Sequence, residues 1–89
     1  MIDLFKNLPT IDLHGMDREY ARILINDFID DNYRMKKKQI VIIHGIGTGA
    51  LRKLTHETLK KNKLVSEYKT DYFNSGMTIA YLRENNRCN

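Results

Sequence analysis

From residue 20 onward, apolar side chains return every three or four positions: Tyr20, Ala21, Leu24, Ile25, Phe28 and Ile29, with Arg18, Arg22 and Asp30 between them. That period predicts an amphipathic helix whose apolar stripe, these six residues, faces a core. Asp17 is the expected N-cap, and the pattern fades near Asn32 or Tyr33 into the basic connection RMKKKQ. On either side of this helix the pattern is that of strands. Thr10–His14 reads as a strand ended by Gly15, and Pro9 suits its start because proline has no N–H to give a sheet ladder. Ile40–Ile43 is a run of four β-branched residues closed by glycine, the pattern of a buried strand. Beyond a glycine-rich turn, Leu51, Leu54 and Leu59 mark the inner face of a second helix over roughly Gly49 to Lys61, with Arg52, Lys53, Lys60 and Lys61 outside. Two extended pieces follow, near Ser66–Phe73 and Met77–Leu82, and Asn74-Ser75-Gly76 supplies turn residues between them.

The order β-α-β-α-β-β predicts an α/β domain whose first two strands run parallel, joined by a right-handed helical crossover. Eighty-nine residues suffice for one such domain, with a core over about residues 10–82 and short tails outside it. The longest strongly apolar run, Ile40–Ile43, is far short of the roughly 20 residues that span a bilayer. The N-terminal MIDLFKNLPT lacks a basic segment leading into an apolar one, so no secretion signal or membrane partner is expected. A lone cysteine, Cys88, excludes an internal disulfide and points to a reducing, cytoplasmic setting.

Charge sharpens this picture more than composition does. Residues 1–32 carry three basic and seven acidic side chains, net −4, whereas residues 33–63 carry nine basic and one acidic, net +8. Residues 64–89 balance at three and three. A +8 middle third around a glycine turn attracts polyanions through its summed field, although a lysine face can also serve solubility alone.

Two short stretches carry the candidate chemistry. In Ile11-Asp12-Leu13-His14-Gly15, alternation along a strand sends Leu13 to one face and Asp12 with His14 to the other. A carboxylate beside an imidazole fixes its tautomer and readies it for acid–base work. The same pair can also be a turn cap and a core-edge histidine. In His44-Gly45-Ile46-Gly47-Thr48-Gly49-Ala50, the glycines let backbone approach a phosphate, and the helix start behind them points free N–H groups at it. Thr48 can cap that helix or donate to the phosphate, and Arg52 can fork onto two of its oxygens. The stretch is not a P-loop, because the lysine is missing, and its Gly45, Gly47, Ala50 spacing matches a dinucleotide fingerprint only loosely. The two histidines lie thirty residues apart, each before a glycine at the end of one of two parallel strands, where ligands of open α/β sheets bind. His56, inside the second helix beside Glu57, reads as a surface residue. Asp12, His14 and His44 contain metal-ligand types, but their spacing demands no metal, and neither metal nor cofactor is expected.

Together the two motifs resemble those of the Smr (small MutS-related) domain, which pairs an L-D-x-H-G strand end with an H-G-x-G-x-G-x-L-R turn. The resemblance covers residues 10 to 82. It implies a two-layer βαβαββ sandwich, a four-stranded mixed sheet with two helices. It also implies nucleic-acid binding and, in members with the acidic residue and histidine, endonuclease activity, on DNA in some branches and on messenger RNA of stalled ribosomes in others. Asp12 and His14 fall on the catalytic D-x-H, and His44, Gly45, Gly47, Gly49 and Arg52 on the second motif. A third family motif, Gly-Gly-x-Gly-x-Thr, reads here Phe73-Asn74-Ser75-Gly76-Met77-Thr78, keeping only its last glycine and its threonine.

The resulting expectation is a monomeric, metal-free phosphodiesterase acting on RNA, with DNA as the alternative substrate and the ribosome as a further partner. His14, oriented by Asp12, is the expected base, and His44 the expected acid. Gly45, Gly47, Thr48, Gly49, Arg52 and Lys53 are expected to hold phosphate, with Lys36, Lys37, Lys38, Lys53, Lys60 and Lys61 guiding the backbone. Two rivals use the same residues: a docking module for RNA, DNA or the ribosome in which Asp12 and His14 are structural, and a nucleotide-binding protein.

Overall fold

The computed structural model describes residues 8–70 and 75–85. The expected strand end at 71–73, the turn residue Asn74, the segment before Leu8 and Cys88 lie outside the described residues.

Asp17 begins α1 (Arg18–Arg34) as its N-cap, its carboxylate accepting the amides of Glu19 and Tyr20 at 3.1 and 3.2 Å. Ala21, Ile25 and Ile29 on that helix are buried, with Leu24 and Phe28 packed against the core beside them. Tyr20 departs from expectation: it is 54% exposed, because it lies in the first turn, at the edge of the stripe. The buried stripe extends instead to Asn32, whose amide group donates to the Phe28 carbonyl at 2.8 Å and so hides its polarity.

The strands are β1 (Thr10–Asp12), β2 (Gln39–Ile43), β3 (Val65–Thr70) and β4 (Met77–Leu82), in sheet order β1-β2-β4-β3. β1 runs parallel to β2, while β4 pairs antiparallel with both β2 and β3. Pro9 contributes what it has, a carbonyl that accepts from Val41 N–H at 2.8 Å. β1 is shorter than the expected Thr10–His14. Leu13 N–H still donates to the Ile43 carbonyl, but the chain turns at once, with Gly15 at φ +77° and Met16 N–H bonded back to Leu13. β4 has the expected limits.

α2 (Ala50–Lys61) lies beside α1, and both helices cover one face of the sheet. That face supplies Leu13, Ile40, Ile42, Ala80 and Leu82 to a core shared with Ala21, Ile25, Ile29, Leu59 and Val65. Burying each large aliphatic side chain contributes about 1.5–3 kcal/mol. The inner face of α2 is less apolar than its leucines suggest. Thr55 and Thr58 are buried there, their hydroxyls returned to the Leu51 and Leu54 carbonyls at 2.7 and 2.8 Å. No described helix is long and apolar enough to cross a membrane.

Candidate functional site

Parallel pairing aligns Asp12 with Ile43, so the chain leaves the sheet at the same level after β1 and after β2. His14 and His44 stand just beyond. The two motifs meet at Gly45, where φ is +82° and an added Cβ would lie 3.0 Å from the His14 Cβ. Only glycine fits there without displacing His14.

Leu13 is fully buried in the core, while Asp12 and His14 are exposed. Asp12 Oδ1 accepts twice from residue 14: from its backbone N–H at 3.1 Å and from its ring Nδ1 at 2.6 Å. A carboxylate only accepts, so the ring carries its proton on Nδ1 and leaves Nε2 free. The hydrogen bond to Asp12, followed by charge attraction, raises the His14 pKa above its ordinary 6.5. The same hydrogen bond and the His14 backbone amide lower the Asp12 carboxyl below 3.8. The imidazole has a fixed tautomer and an accessible nitrogen, the attributes of a proton acceptor.

A cleft of about 560 Å³ opens beside this pair, walled by residues 14–18 and 44–51. His14, His44, Gly45, Gly47, Thr48 and Gly49 all border it, and Asp12 acts on it through His14. Gly49 is the N-cap of α2, with φ +85° and no side-chain cap, and Thr48 Oγ1 accepts the Ala50 amide at 3.3 Å. The first turn of any α-helix has unpaired N–H groups and the positive end of its dipole, which suit an anion.

Hydrogen bonds within the loop decide which amides are available. Gly45 N–H donates to the Gly76 carbonyl at 3.0 Å, and Gly49 N–H to the Ile46 carbonyl at 3.1 Å. The amides of Ile46, Gly47 and Thr48 have no hydrogen-bond partner among the described residues. Gly45 and Gly49 therefore shape the loop, and the three residues between them carry the free donors.

His44 does not match the expected acid. It is only 3% exposed, and both ring nitrogens are engaged: Nδ1 with the Gly45 carbonyl at 2.9 Å and Nε2 with Thr78 Oγ1 at 2.8 Å. A carbonyl only accepts, so the ring's proton is on Nδ1 and is already used. Burial lowers the His44 pKa, so the ring is neutral at pH 7. A buried neutral ring whose one N–H is spent inside the loop has no proton for a leaving group. His44 holds the loop in shape.

His56, expected at the surface, stands instead beside His44. It is half-buried, with Nε2 3.0 Å from Thr78 Oγ1 and 3.2 Å from Thr70 Oγ1, and its ring stands edge-on to His44 at 6.2 Å. Thr78 thus sits between two histidines, giving its hydroxyl proton to His44 and accepting from His56. Burial, then the nearby His44 and Arg52, lower the His56 pKa. Its partners lie 14 and 22 residues downstream, on two different strands, and no local pattern signals them.

The expected cations divide into two groups. Arg52 and Lys53 border an adjoining cleft that shares Thr48 and Gly49 with the first. Lys36, Lys37 and Lys38 are not brought to either; they line a small cavity with Arg83 and Glu84 at the opposite end of β2. Five residues of strand separate them from the glycine loop, roughly 15 Å. Among the described residues no three His, Cys, Asp or Glu side chains gather as a metal site would need.

Comparison with known proteins accords with this geometry. A family model described as the Smr domain matches residues 11–83. The chain is 42% identical over 78 residues to a protein named Endonuclease MutS2 of Halothermothrix orenii, covering 84% of this chain and 10% of that protein. It is 37% identical over 78 residues to Endonuclease MutS2 of Clostridium perfringens, with the same coverage. The chain thus spans about a tenth of the length of these curated relatives. The crystal structure of the Smr domain of Thermus thermophilus MutS2 superposes with a TM-score of 0.82 at 25% identity, covering 85% of this chain and 99% of that one. YdaL, a stand-alone small MutS-related protein from Escherichia coli, shares the fold with a TM-score of 0.72 at 21% identity, over 84% of this chain and 64% of its own.

Proposed function

The chain belongs to the Smr domain family, and from that premise we propose that it is an endonuclease that cleaves RNA without a metal ion, using His14 as the base. The observation that carries this reading is the Asp12–His14 pair. The carboxylate holds Nδ1 at 2.6 Å and leaves Nε2 open beside a cleft lined by the glycine loop.

In the proposed reaction His14 Nε2 removes the proton of a ribose 2′-hydroxyl. The 2′-oxygen attacks the adjacent phosphorus, the bond from phosphorus to the 5′-oxygen breaks, and that oxygen takes a proton from water in the open cleft. The products are a 2′,3′-cyclic phosphate and a 5′-hydroxyl. Negative charge grows on the phosphate oxygens as this proceeds, and preorganised donors that meet such charge usually supply the largest share of catalysis. The free amides of Ile46, Gly47 and Thr48 and the N-terminus of α2 are suited to that task, with Arg52 in the adjoining cleft. RNA is the favoured substrate because it brings its own nucleophile, whereas DNA would need His14 to activate water. The family resemblance extends the reading to messenger RNA on stalled ribosomes in the cytoplasm.

The test is cleavage of a labelled RNA by purified protein, beside the same strand carrying one 2′-deoxy residue at the cut and a sample with chelator. Cleavage to cyclic phosphate ends that ignores the chelator, stops at the 2′-deoxy position and is lost in His14→Ala is the expected result. Undiminished cleavage by His14→Ala, or arrest by the chelator, overturns it. Binding without any scission selects the docking module instead.

A further inference from the structure

The glycine loop has a second flank. A cleft of about 480 Å³ lies there, sharing Thr48 and Gly49 with the first. Its wall takes Arg52, Lys53, His56, Glu57 and Lys60 from α2, a spacing that brings them to one side of the helix, and Tyr68 from β3. Three cations face one carboxylate, and none of Arg52, Lys53 or Lys60 joins an ion pair among the described residues.

The cleft also holds two fixed rings. His56 and Tyr68 lie 5.1 Å apart between centroids at an angle of 41°. The two threonine hydroxyls at His56 Nε2 set the orientation of the imidazole. Tyr68 packs partly against the core, which holds its stem. Rings set beside unpaired cations are what a nucleotide needs, since its base offers a flat face to stack and its phosphate offers charge. A base inside a duplex cannot present that face, whereas an unpaired one can.

We propose that this cleft is a second binding subsite that takes one unpaired nucleotide of a single-stranded nucleic acid, its base against Tyr68 and His56 and its phosphate among Arg52, Lys53 and Lys60. The proposal deepens the cleavage reading and rests on it in one respect: the shared Thr48–Gly49 wall lets the two clefts hold successive parts of one strand. It makes the substrate single-stranded, because the cut phosphate and the stacked base are neighbours.

The test uses His14→Ala protein, which binds without cutting, and an eight-nucleotide strand with a fluorescent end, free or in a duplex, followed by anisotropy. A second strand set carries 2-aminopurine, whose emission falls on stacking, at each position in turn. The free strand is expected to bind about tenfold more tightly than the duplex, with emission quenched at one position. Tyr68→Ala weakens binding about tenfold and abolishes the quench, while Tyr68→Phe keeps both. Lys60→Gln reduces the slope of log affinity against log salt by about 0.7. Equal affinity for strand and duplex, or unchanged binding by Tyr68→Ala, overturns the proposal. If Tyr68→Ala loses its folded circular dichroism, the quench and the Lys60→Gln slope decide, and the absence of either overturns it. Protein that shows this binding yet never cuts RNA removes the cleavage reading and leaves the subsite. Protein that cuts RNA while Tyr68→Ala binds normally does the reverse.

Discussion

His14 gives its Nδ1 proton to Asp12 Oδ1 over 2.6 Å, so residue 12 decides which edge of the residue 14 ring meets the cleft. The pair also sets the pH at which that edge can act. The raised pKa of His14 means that its basic form is reached only above the ordinary 6.5. Cleavage rate should therefore rise with pH, with a midpoint above about 6.5. In Asp12→Asn the anion is gone, the His14 pKa falls back, and the midpoint moves down. The plateau also drops, because an amide no longer dictates the tautomer. His14→Ala, which removes the base, costs about 10²- to 10⁴-fold, and Asp12→Asn less. Single-turnover rates from about pH 5 to 9 check both shifts, and an unmoved midpoint in Asp12→Asn would refute the assignment of His14 as base.

Gly45 and Gly47 provide a contrast within one loop. A methyl group on Gly45 meets the His14 Cβ at 3.0 Å, whereas one on Gly47 meets nothing within 4 Å. Both positions have positive φ, so either alanine carries backbone strain, about 1–2 kcal/mol at a fully left-handed position. Only Gly45→Ala also pushes on the base. Thermal melts should show the larger loss in Gly45→Ala, and its cleavage should fall by at least tenfold more than that of Gly47→Ala. Equal activity in the two would mean that contact between the motifs is not needed.

Much of this architecture was legible in sequence. Helical spacing from Tyr20 to Ile29 and the Asp17 cap gave α1, and the run Ile40–Ile43 gave β2, because local pattern and burial agree there. Strand alternation put Asp12 and His14 on one face, but the strand ends at Asp12, and the turn after it brings both the amide and the ring of residue 14 to the carboxylate. What stayed hidden depends on long-range partners. His56 looks like one more polar residue on a basic helix until Thr70 and Thr78 arrive from β3 and β4. His44 looks like a catalytic acid until Thr78, 34 residues on, occupies its second nitrogen. The altered third motif makes the same point. Its two retained residues both contact the loop: the Gly76 carbonyl accepts from the amides of His44 and Gly45, and Thr78 bonds the His44 ring.

The lysines near β2 separate contact from field. Lys36, Lys37 and Lys38 sit at the far end of the strand from the loop, and Lys53 and Lys60 line the second cleft. A phosphate contact releases counterions and appears in the salt slope, about 0.7 per contact on a single strand, whereas a distant charge mainly alters the encounter rate. The triple change of Lys36, Lys37 and Lys38 to Gln should slow association at low salt and leave the slope nearly unchanged. Lys53→Gln should reduce it. Stopped-flow association and equilibrium titration across salt concentrations distinguish the two, and a slope reduced by about two in the triple variant would place those lysines on the strand.

Thr78 joins two histidines whose burial couples stability to pH. Both His44 and His56 have pKa values lowered by burial, so the folded chain holds fewer protons than the unfolded chain, whose histidines titrate near 6.5. Stability should then be full above about 6.5 and fall as pH drops from there toward the folded values, where the rings charge and the network breaks. His14 acts in the opposite sense, since its raised pKa adds stability below 6.5 and loses it as pH rises through the folded value. Its side chain is 70% exposed and its pairing is screened by solvent, so buried His44 and half-buried His56 dominate. Urea midpoints at about pH 7.5 and 5.5 should show a loss on acidification. His56→Gln, which keeps a donor toward Thr78 but does not titrate, should reduce that loss, and His14→Ala should increase it. Thr78→Val should lower stability already at neutral pH by about 1–3 kcal/mol, because His44 Nε2 would be left buried without a donor. A midpoint independent of pH in wild type, or a Thr78→Val variant as stable as wild type, would show that the histidine–threonine network does not hold the loop.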